Sequence, residues 1–336
     1  MKSIALIGYG YWGKNLMRNI VQSKLWESVF LFELDESKKK ICSETFPRVI
    51  INHTFEDILL NKNIEAIVIA TPPHTQYEIA KKGLENNKHI LCEKPFTTSY
   101  KHGKELVDIA KSNKLKIMVD YTFLYTGAVE KIKEITDKGG LGKLLYIDST
   151  RINLGIFQSN INVLWDLACH DLSIINHIID SKLISVQSTG ISHTPNGIEN
   201  IAYLTLKYKD NLIAHINCSW TSPVKIRQML FGGDKKMIVY NDIEPTDKIK
   251  IYDAGFEVKT ENDKNKLLID YRMGDVYSPK LDNAEALSKM IKDFYLAITI
   301  NQKPKANTEL ALDVLEILEA AQESISAQGK QIFIDG

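Results

Sequence analysis

The chain has 336 residues, 44 % of them hydrophobic and 25 % charged, which suits an ordinary globular protein with material for two domains. Lysine plus arginine and aspartate plus glutamate both total 42, so the charge balance offers no electrostatic footprint for nucleic acid or for an anionic membrane. Four scattered cysteines, the absence of a signal-peptide pattern and the lack of any membrane-length apolar run together predict a reducing, cytoplasmic setting.

Lys2 to Ile7 reads as a short apolar strand, followed at once by Gly8-Tyr9-Gly10-Tyr11-Trp12-Gly13. Leu16, Met17, Ile20 and Val21 then recur at helical spacing, so the unit is strand, glycine turn, helix. In such a turn Gly8 permits the bend, Gly10 lets backbone approach a pyrophosphate, and Gly13 lets helix and strand pack closely. The phosphates would sit on the helix N-terminus, where N–H groups and the helix dipole favour negative charge. Tyr11 and Trp12 lie within the same cofactor-binding turn. The next strand, Val29 to Phe32, ends at Glu33, where a carboxylate can accept from the ribose 2′-hydroxyl and repel a 2′-phosphate; this predicts NAD. Lys38, Lys39 and Lys40 are expected to be solvated surface charge.

Ile64 to Ala70 is a continuous apolar run, the pattern of a strand buried on both faces of a parallel sheet, and it ends in Thr71-Pro72-Pro73-His74. Thr71 and Pro72 would form a rigid loop near the cofactor. A helix over Thr75 to Glu85 leads to a strand ending at Cys92, and then to Glu93-Lys94-Pro95. A helix over Ser99 to Ser112 and a strand over Leu115 to Val119 follow. This alternation predicts a doubly wound parallel sheet over residues 1–122. Ligands of such sheets lie beyond the carboxyl ends of the strands, which points Lys94 at chemistry. A surface lysine after a strand is the bland alternative.

Residues 123–336 read as a second, α+β domain. Glu130 to Lys138 is a helix and Leu144 to Ile152 an alternating strand that carries Arg151. Arg151, Asn153 and Asn162 either bind polyol or phosphate oxygens or satisfy loop backbone. Over Trp165 to Ile179 a regular helix would place Asp166, His170, Ser173 and His177 on one face. Asp166 and His170, four apart, could present an acid and an imidazole to one molecule; a dipole-stabilised carboxylate and a partly buried polar-face histidine are the alternatives. Asp171 is expected to pair locally. A metal site would need a third ligand of comparable placement, and none is offered, so no metal is assigned. Strands from Ile184 onward predict a large, mainly antiparallel open-faced sheet, with Ala202, Leu204, Leu206, Ala214, Ile216 and Cys218 on its covered face. Its other face, with Tyr203, Thr205, His215 and Asn217, is a plausible self-association surface. Glu257 to Met273 reads as an exposed loop, and two amphipathic helices close the chain.

GYGYWG after the first strand, ATPP after a later one, CEKP after the next and Asp166-x-x-x-His170 further on resemble the Gfo/Idh/MocA oxidoreductase family over essentially the whole chain. The resemblance implies an NAD(P)-dependent enzyme acting on sugars, cyclitols or nucleotide sugars, commonly a homodimer or homotetramer. It implies that Lys94 is the acid/base residue near the nicotinamide, that Glu93 lines the cofactor site, and that His170 and Asp166 assist Lys94. Members often carry a histidine where this chain has Gln76, so neither Gln76 nor His74 is placed in catalysis. The WDLACHDLSI stretch, preceded by Arg151-Ile152-Asn153-Leu154-Gly155, resembles the branch found in surface-polysaccharide nucleotide-sugar pathways, which implies redox chemistry at a ring hydroxyl, often at C3. An NAD-dependent glycosidase and a non-catalytic dinucleotide-binding regulator of the same fold are the alternatives.

Overall fold

The computed structural model describes residues 3–258 and 269–334. The chain divides into two compact units, one of residues 1–126 with 284–316 and the other of residues 127–283 with 317–336.

The first unit is built on β1 (Ser3–Ile7), β2 (Val29–Phe32), β3 (Ile50–Asn52), β4 (Ile64–Ile69), β5 (His89–Cys92) and β6 (Ile117–Val119). These form one sheet in the order β3-β2-β1-β4-β5-β6, every pair parallel. The helices between them are α1 (Tyr11–Ser23), α2 (Glu36–Thr45), α3 (Phe55–Leu60), α4 (Pro73–Glu85) and α5 (Tyr100–Ser112). A parallel pair needs such a crossover, and helices on both faces demand the unbroken apolar strands seen here. All five residues of β1 are buried, and each fully buried Ile or Leu contributes about 1.5–3 kcal/mol. The sequence turns around at β1, so the order reverses between β1 and β4, and a ligand crevice is expected beyond the ends of those strands.

A single cut at 122/123 does not describe the units. The helix Ala286–Thr299 belongs to the first one, because its buried stripe packs against α1 and against the turn Thr122–Tyr125. Trp26 meets Tyr295 edge to face, Arg18 pairs with Glu285, and the Val119 N–H donates to the carbonyl of Ala306.

The second unit opens with α6 (Gly127–Asp137) and β7 (Leu144–Leu154), then α7 (Cys169–Ile178). There follow β8 (Leu183–Ile191), β9 (Ile201–Tyr208), β10 (Ile213–Ser219), β11 (Thr221–Gly233), β12 (Met237–Asn241), β13 (Ile249–Tyr252), β14 (Gly255–Val258), β15 (Ile269–Arg272) and β16 (Val276–Tyr277). Ala286–Thr299 is α8, Thr308–Ser326 is α9, within which the division between the units falls, and Ile332–Phe333 is β17. Nine strands pair in the order β16-β13-β12-β11-β7-β10-β9-β8-β17, antiparallel except for β7 with β10. The alternation holds: Ala202, Leu204, Leu206, Ala214, Ile216 and Cys218 are fully buried, while Tyr203 and Ile213 on the opposite face are exposed.

One expectation is corrected. The ends of the segment read as a loop over Glu257 to Met273 pair as β14 and β15, and Arg272 pairs with Asp253 at 2.5 Å; residues 259–268 lie outside the described set. The four cysteines are free and buried, and among the described residues no helix is long and apolar enough to cross a membrane.

Candidate active site

The glycine turn has the geometry its residues demand. Gly8 adopts φ +92°, and a Cβ there would come within 2.8 Å of the Ala70 carbonyl oxygen. A Cβ on Gly13 would run into the carbonyl of Gly8, whereas a Cβ on Gly10 would meet nothing within 4 Å. Gly8 and Gly13 are therefore glycine for packing, and Gly10 for the open space it faces. No side chain caps α1, and no acidic residue lies in its first turn. An uncapped helix start beside an open glycine is the cradle a pyrophosphate needs. Tyr11 is 81 % exposed beside that cradle, edge to face with Trp12.

Glu33 folds its carboxylate onto the turn. One oxygen accepts from the Tyr9 N–H at 2.6 Å, and the other accepts from Leu34 and Asp35 at 2.8 and 3.1 Å. Partial burial raises its pKa, but these three donors and the nearby Lys38 outweigh that, so the group stays ionised. Asp35 caps α2 through the N–H groups of Ser37 and Lys38. Lys38, Lys39 and Lys40 lie beside Asp35, Glu36 and Glu44 of the same helix, as surface charge does.

Thr71 ends the strand run of β4 and is braced on two sides. Its hydroxyl accepts from Thr75 at 2.8 Å, and its carbonyl accepts from the buried Gln76 amide at 3.0 Å. Gln76 thus holds the loop rather than acting in chemistry. Pro72 precedes a helix whose first residue is Pro73, where a missing N–H costs nothing.

Beyond β5, Glu93 is buried and accepts from the Lys94 N–H at 3.0 Å. Lys94 is half-buried at the same sheet edge as Gly8 and Thr71, joined to Pro95 by a cis peptide bond. The parallel register of β5 and β6 brings a second carboxylate, Asp120, alongside: its N–H donates to the Cys92 carbonyl at 2.7 Å, and the Thr122 hydroxyl donates to its Oδ1. Asp120 was missed in the sequence. The signal was available, because it is a charged residue immediately after an apolar strand of a parallel sheet.

In the second unit Asp166 and His170 are the only residues of 162–175 that are not buried. The helix carrying them is not regular. Leu164–Ala168 forms a π turn that runs into α7, and such wide turns are common at functional sites. Ser173 does not join Asp166 and His170 in being accessible: it is fully buried, with its hydroxyl donating to the His170 carbonyl. The Asp166 carboxylate accepts from the Trp220 indole N–H at 3.0 Å. Trp220 is 1 % exposed, with Phe157 tilted against it and the Gly155 N–H donating to its carbonyl. Trp220 was also missed; nothing local marks which strand end meets a helix.

Arg151 is corrected as a substrate ligand. It is 3 % exposed, and its Nε and Nη2 donate to Asp171 at 2.7–3.0 Å. Asp171 consequently pairs across to β7 rather than locally. The alternation of β7 turns Arg151 to the covered face, where an unpaired charge would be very costly. Asn162 satisfies loop backbone: its Oδ1 accepts from Leu164 and Trp165 while its Nδ2 donates to Glu199 and Gln322. Asn153 remains half-buried near Gly155. Among the described residues no group of three or more His, Cys, Asp or Glu side chains is placed to hold a metal ion.

Residues 2–121 match the model of the oxidoreductase family with an NAD-binding Rossmann fold, and residues 129–239 match the Gfo/Idh/MocA C-terminal domain. The chain belongs to the Gfo/Idh/MocA oxidoreductase family. It is 24 % identical to the uncharacterized oxidoreductase YrbE of Bacillus subtilis over 96 % of this chain and 93 % of that protein. It also matches an uncharacterized oxidoreductase of Schizosaccharomyces pombe at 38 % identity, but over only 31 % of this chain and 28 % of that one. Among solved structures, UDP-N-acetylglucosamine 3-dehydrogenase from Acidithiobacillus ferrooxidans superposes with a TM-score of 0.78 at 19 % identity, covering 97 % and 98 % of the two chains. Levoglucosan dehydrogenase in complex with NADH and L-sorbose gives 0.82 at 17 % identity and 99 % of each. At those identities the likeness is one of fold. The family membership makes this protein an oxidoreductase whose first unit is an NAD-binding Rossmann domain.

Proposed function

We propose that this protein is an NAD-dependent dehydrogenase acting on a ring carbinol carbon of a sugar, at C3 of a nucleotide-linked sugar in the most specific form of the reading. The observation that carries it is Lys94, half-buried at the carboxyl end of β5 and on the same sheet edge as the open cradle at Gly10. NAD, when bound, supplies the hydride acceptor, and its reduced form the donor. The chain supplies orientation and proton transfer. Gly8, Gly10 and Gly13 hold the diphosphate against the start of α1, and Glu33 receives the ribose hydroxyl. Thr71, Pro72 and Glu93 line the cofactor side. Lys94 takes the substrate hydroxyl proton on its Nζ during oxidation and returns it during reduction. In the second unit Asp166, held by Trp220, and His170 are the candidate sugar ligands, with Asn153 a further one.

Two solved structures of this fold carry names that bear on the substrate, a UDP-N-acetylglucosamine 3-dehydrogenase and a levoglucosan dehydrogenase. They support sugar chemistry and divide on whether a nucleotide is attached. Screening UDP-linked hexoses beside levoglucosan, inositol and glucose for NADH appearance decides between them. The nucleotide-sugar reading predicts turnover of the UDP-linked sugars alone; turnover of the free sugars with equal efficiency overturns it. On whichever substrate responds, Lys94→Ala is expected to lower kcat by about 10²- to 10⁴-fold while retaining cofactor affinity. Near-wild-type turnover of that variant removes Lys94 from the mechanism.

A further inference from the structure

Two buried carboxylates stand at adjacent strand ends next to Lys94 in the chain, and the proton transfer assigned to that lysine uses neither as an acid or a base. Glu93 leaves the end of β5 and Asp120 the end of the adjacent parallel β6, and both side chains are buried. Asp120 Oδ1 accepts from the Thr122 hydroxyl. Its Oδ2 meets no hydrogen-bond donor among the described residues, and the register of β5 and β6 sets the residue beside Glu93 at the strand ends. Two ionised carboxylates cannot share a buried site, and one proton between them turns a repulsion into a hydrogen bond. Burial and then Asp120 push Glu93 well above the ordinary carboxyl value, with Lys94 pulling the other way. Burial raises Asp120 as well, but the Thr122 hydroxyl, Glu93 and Lys94 all favour its ionised form. The proton therefore belongs on Glu93. Cys92, raised chiefly by burial, and Tyr125, which donates to Asp293 of α8 at 2.7 Å, also feel the pair, and buried Tyr121 follows Asp120 directly in the chain.

We propose that Asp120 is a positioning residue for Lys94: it shares one proton with Glu93, and the single negative charge left on the pair sets how readily Lys94 gives up its own. The proposal rests on the reading of Lys94 as the proton carrier. A charge at that position holds the lysine protonated between turnovers, so that reduction starts with a loaded acid and oxidation needs a higher pH to free the base. Asp120→Asn keeps the shape and removes the charge; Glu93→Gln keeps a donor facing Asp120 and leaves the charge in place.

The test measures the titration midpoint of Lys94 by competitive acetylation with acetic anhydride across pH, read by mass spectrometry on the Lys94 peptide of the purified chain. Asp120→Asn is expected to lower the midpoint by about one pH unit or more, the size of shift a single adjacent charge produces. Glu93→Gln is expected to leave it at the wild-type value. An unchanged midpoint in Asp120→Asn, or an equal fall in Glu93→Gln, overturns the proposal. Infrared difference spectra between wild type and Glu93→Gln at neutral pH give a second readout that does not depend on Asp120→Asn folding. A protonated carboxyl band present in the wild type and lost in the variant is expected, and its absence from the wild type overturns the proposal. If Lys94→Ala is inactive and no midpoint shift occurs, the carboxylate pair alone fails. If Lys94→Ala turns over normally while the shift is seen, the proton-carrier reading fails and the electrostatic coupling stands.

Discussion

At the scale of single residues, what a side chain does here follows from what satisfies its charge. Glu33 is ionised, fed by three backbone N–H groups, and sits beside the glycine turn proposed to hold the cofactor. A 2′-phosphate would bring a second anion against it. Cofactor fluorescence titration should therefore show NADH binding at least about tenfold tighter than NADPH, a difference of about 1.4 kcal/mol, and Glu33→Ser should narrow that gap. Equal binding in the wild type would mean that the lysines of α2 leave their helix partners for the phosphate. Arg151 makes the opposite case. Its charge is spent on Asp171 inside the second unit, so Arg151→Ala leaves a buried carboxylate alone and should cost about 3–5 kcal/mol in chemical denaturation. A variant that lost substrate affinity but no stability would restore Arg151 to the site.

At the scale of elements, the π turn and strand β10 together decide how Asp166 is presented. An ordinary helix could place Asp166 and His170 on one face, but it would not by itself orient the carboxylate. That orientation comes from the Trp220 indole, which follows β10 in the chain and donates to Asp166. Trp220→Phe keeps the buried ring and removes the donor. Its melting temperature should stay within a few degrees of wild type, while kcat/KM falls by about tenfold, as expected when one positioning hydrogen bond is lost. An unchanged kcat/KM would show that Asp166 needs no such support. Asp166 and His170 were readable as candidates from their chemistry and spacing, yet the sequence offered no way to see the turn between them: π and α turns use the same apolar residues.

At the scale of the whole molecule, the first unit is completed by a later stretch of chain, residues 284–316, that interrupts the second. The edge strand β6 gives an N–H to Ala306, and Tyr125 donates to Asp293 and accepts from the Ala306 N–H. A fragment of residues 1–126 leaves those groups and the packing face of α1 uncovered. It should melt without a cooperative transition in circular dichroism and bind NADH weakly. The same fragment joined by a flexible linker to residues 284–316 should recover both properties. Cooperative melting of residues 1–126 alone would show that the returning helix adds nothing essential.

The sequence by itself determined the parallel βα order of the first unit, the glycine turn and the alternating strands of the second. Each of these rests on near-neighbour rules: apolar periodicity, the space a missing Cβ leaves, and the punctuation of Gly and Pro. It also singled out Lys94, because a charge that directly follows a buried parallel strand stands at the edge where such sheets bind their ligands. Only the tertiary structure decided which charges are satisfied by which. Arg151 and Asp171 are twenty positions apart, Asp166 and Trp220 fifty-four, and Glu93 meets Asp120 only because β5 and β6 are neighbours in one sheet. Such pairings depend on register and on strand order, which no local pattern carries. The same physics that makes a buried charge expensive makes its partner the deciding fact, and that partner is chosen by the fold.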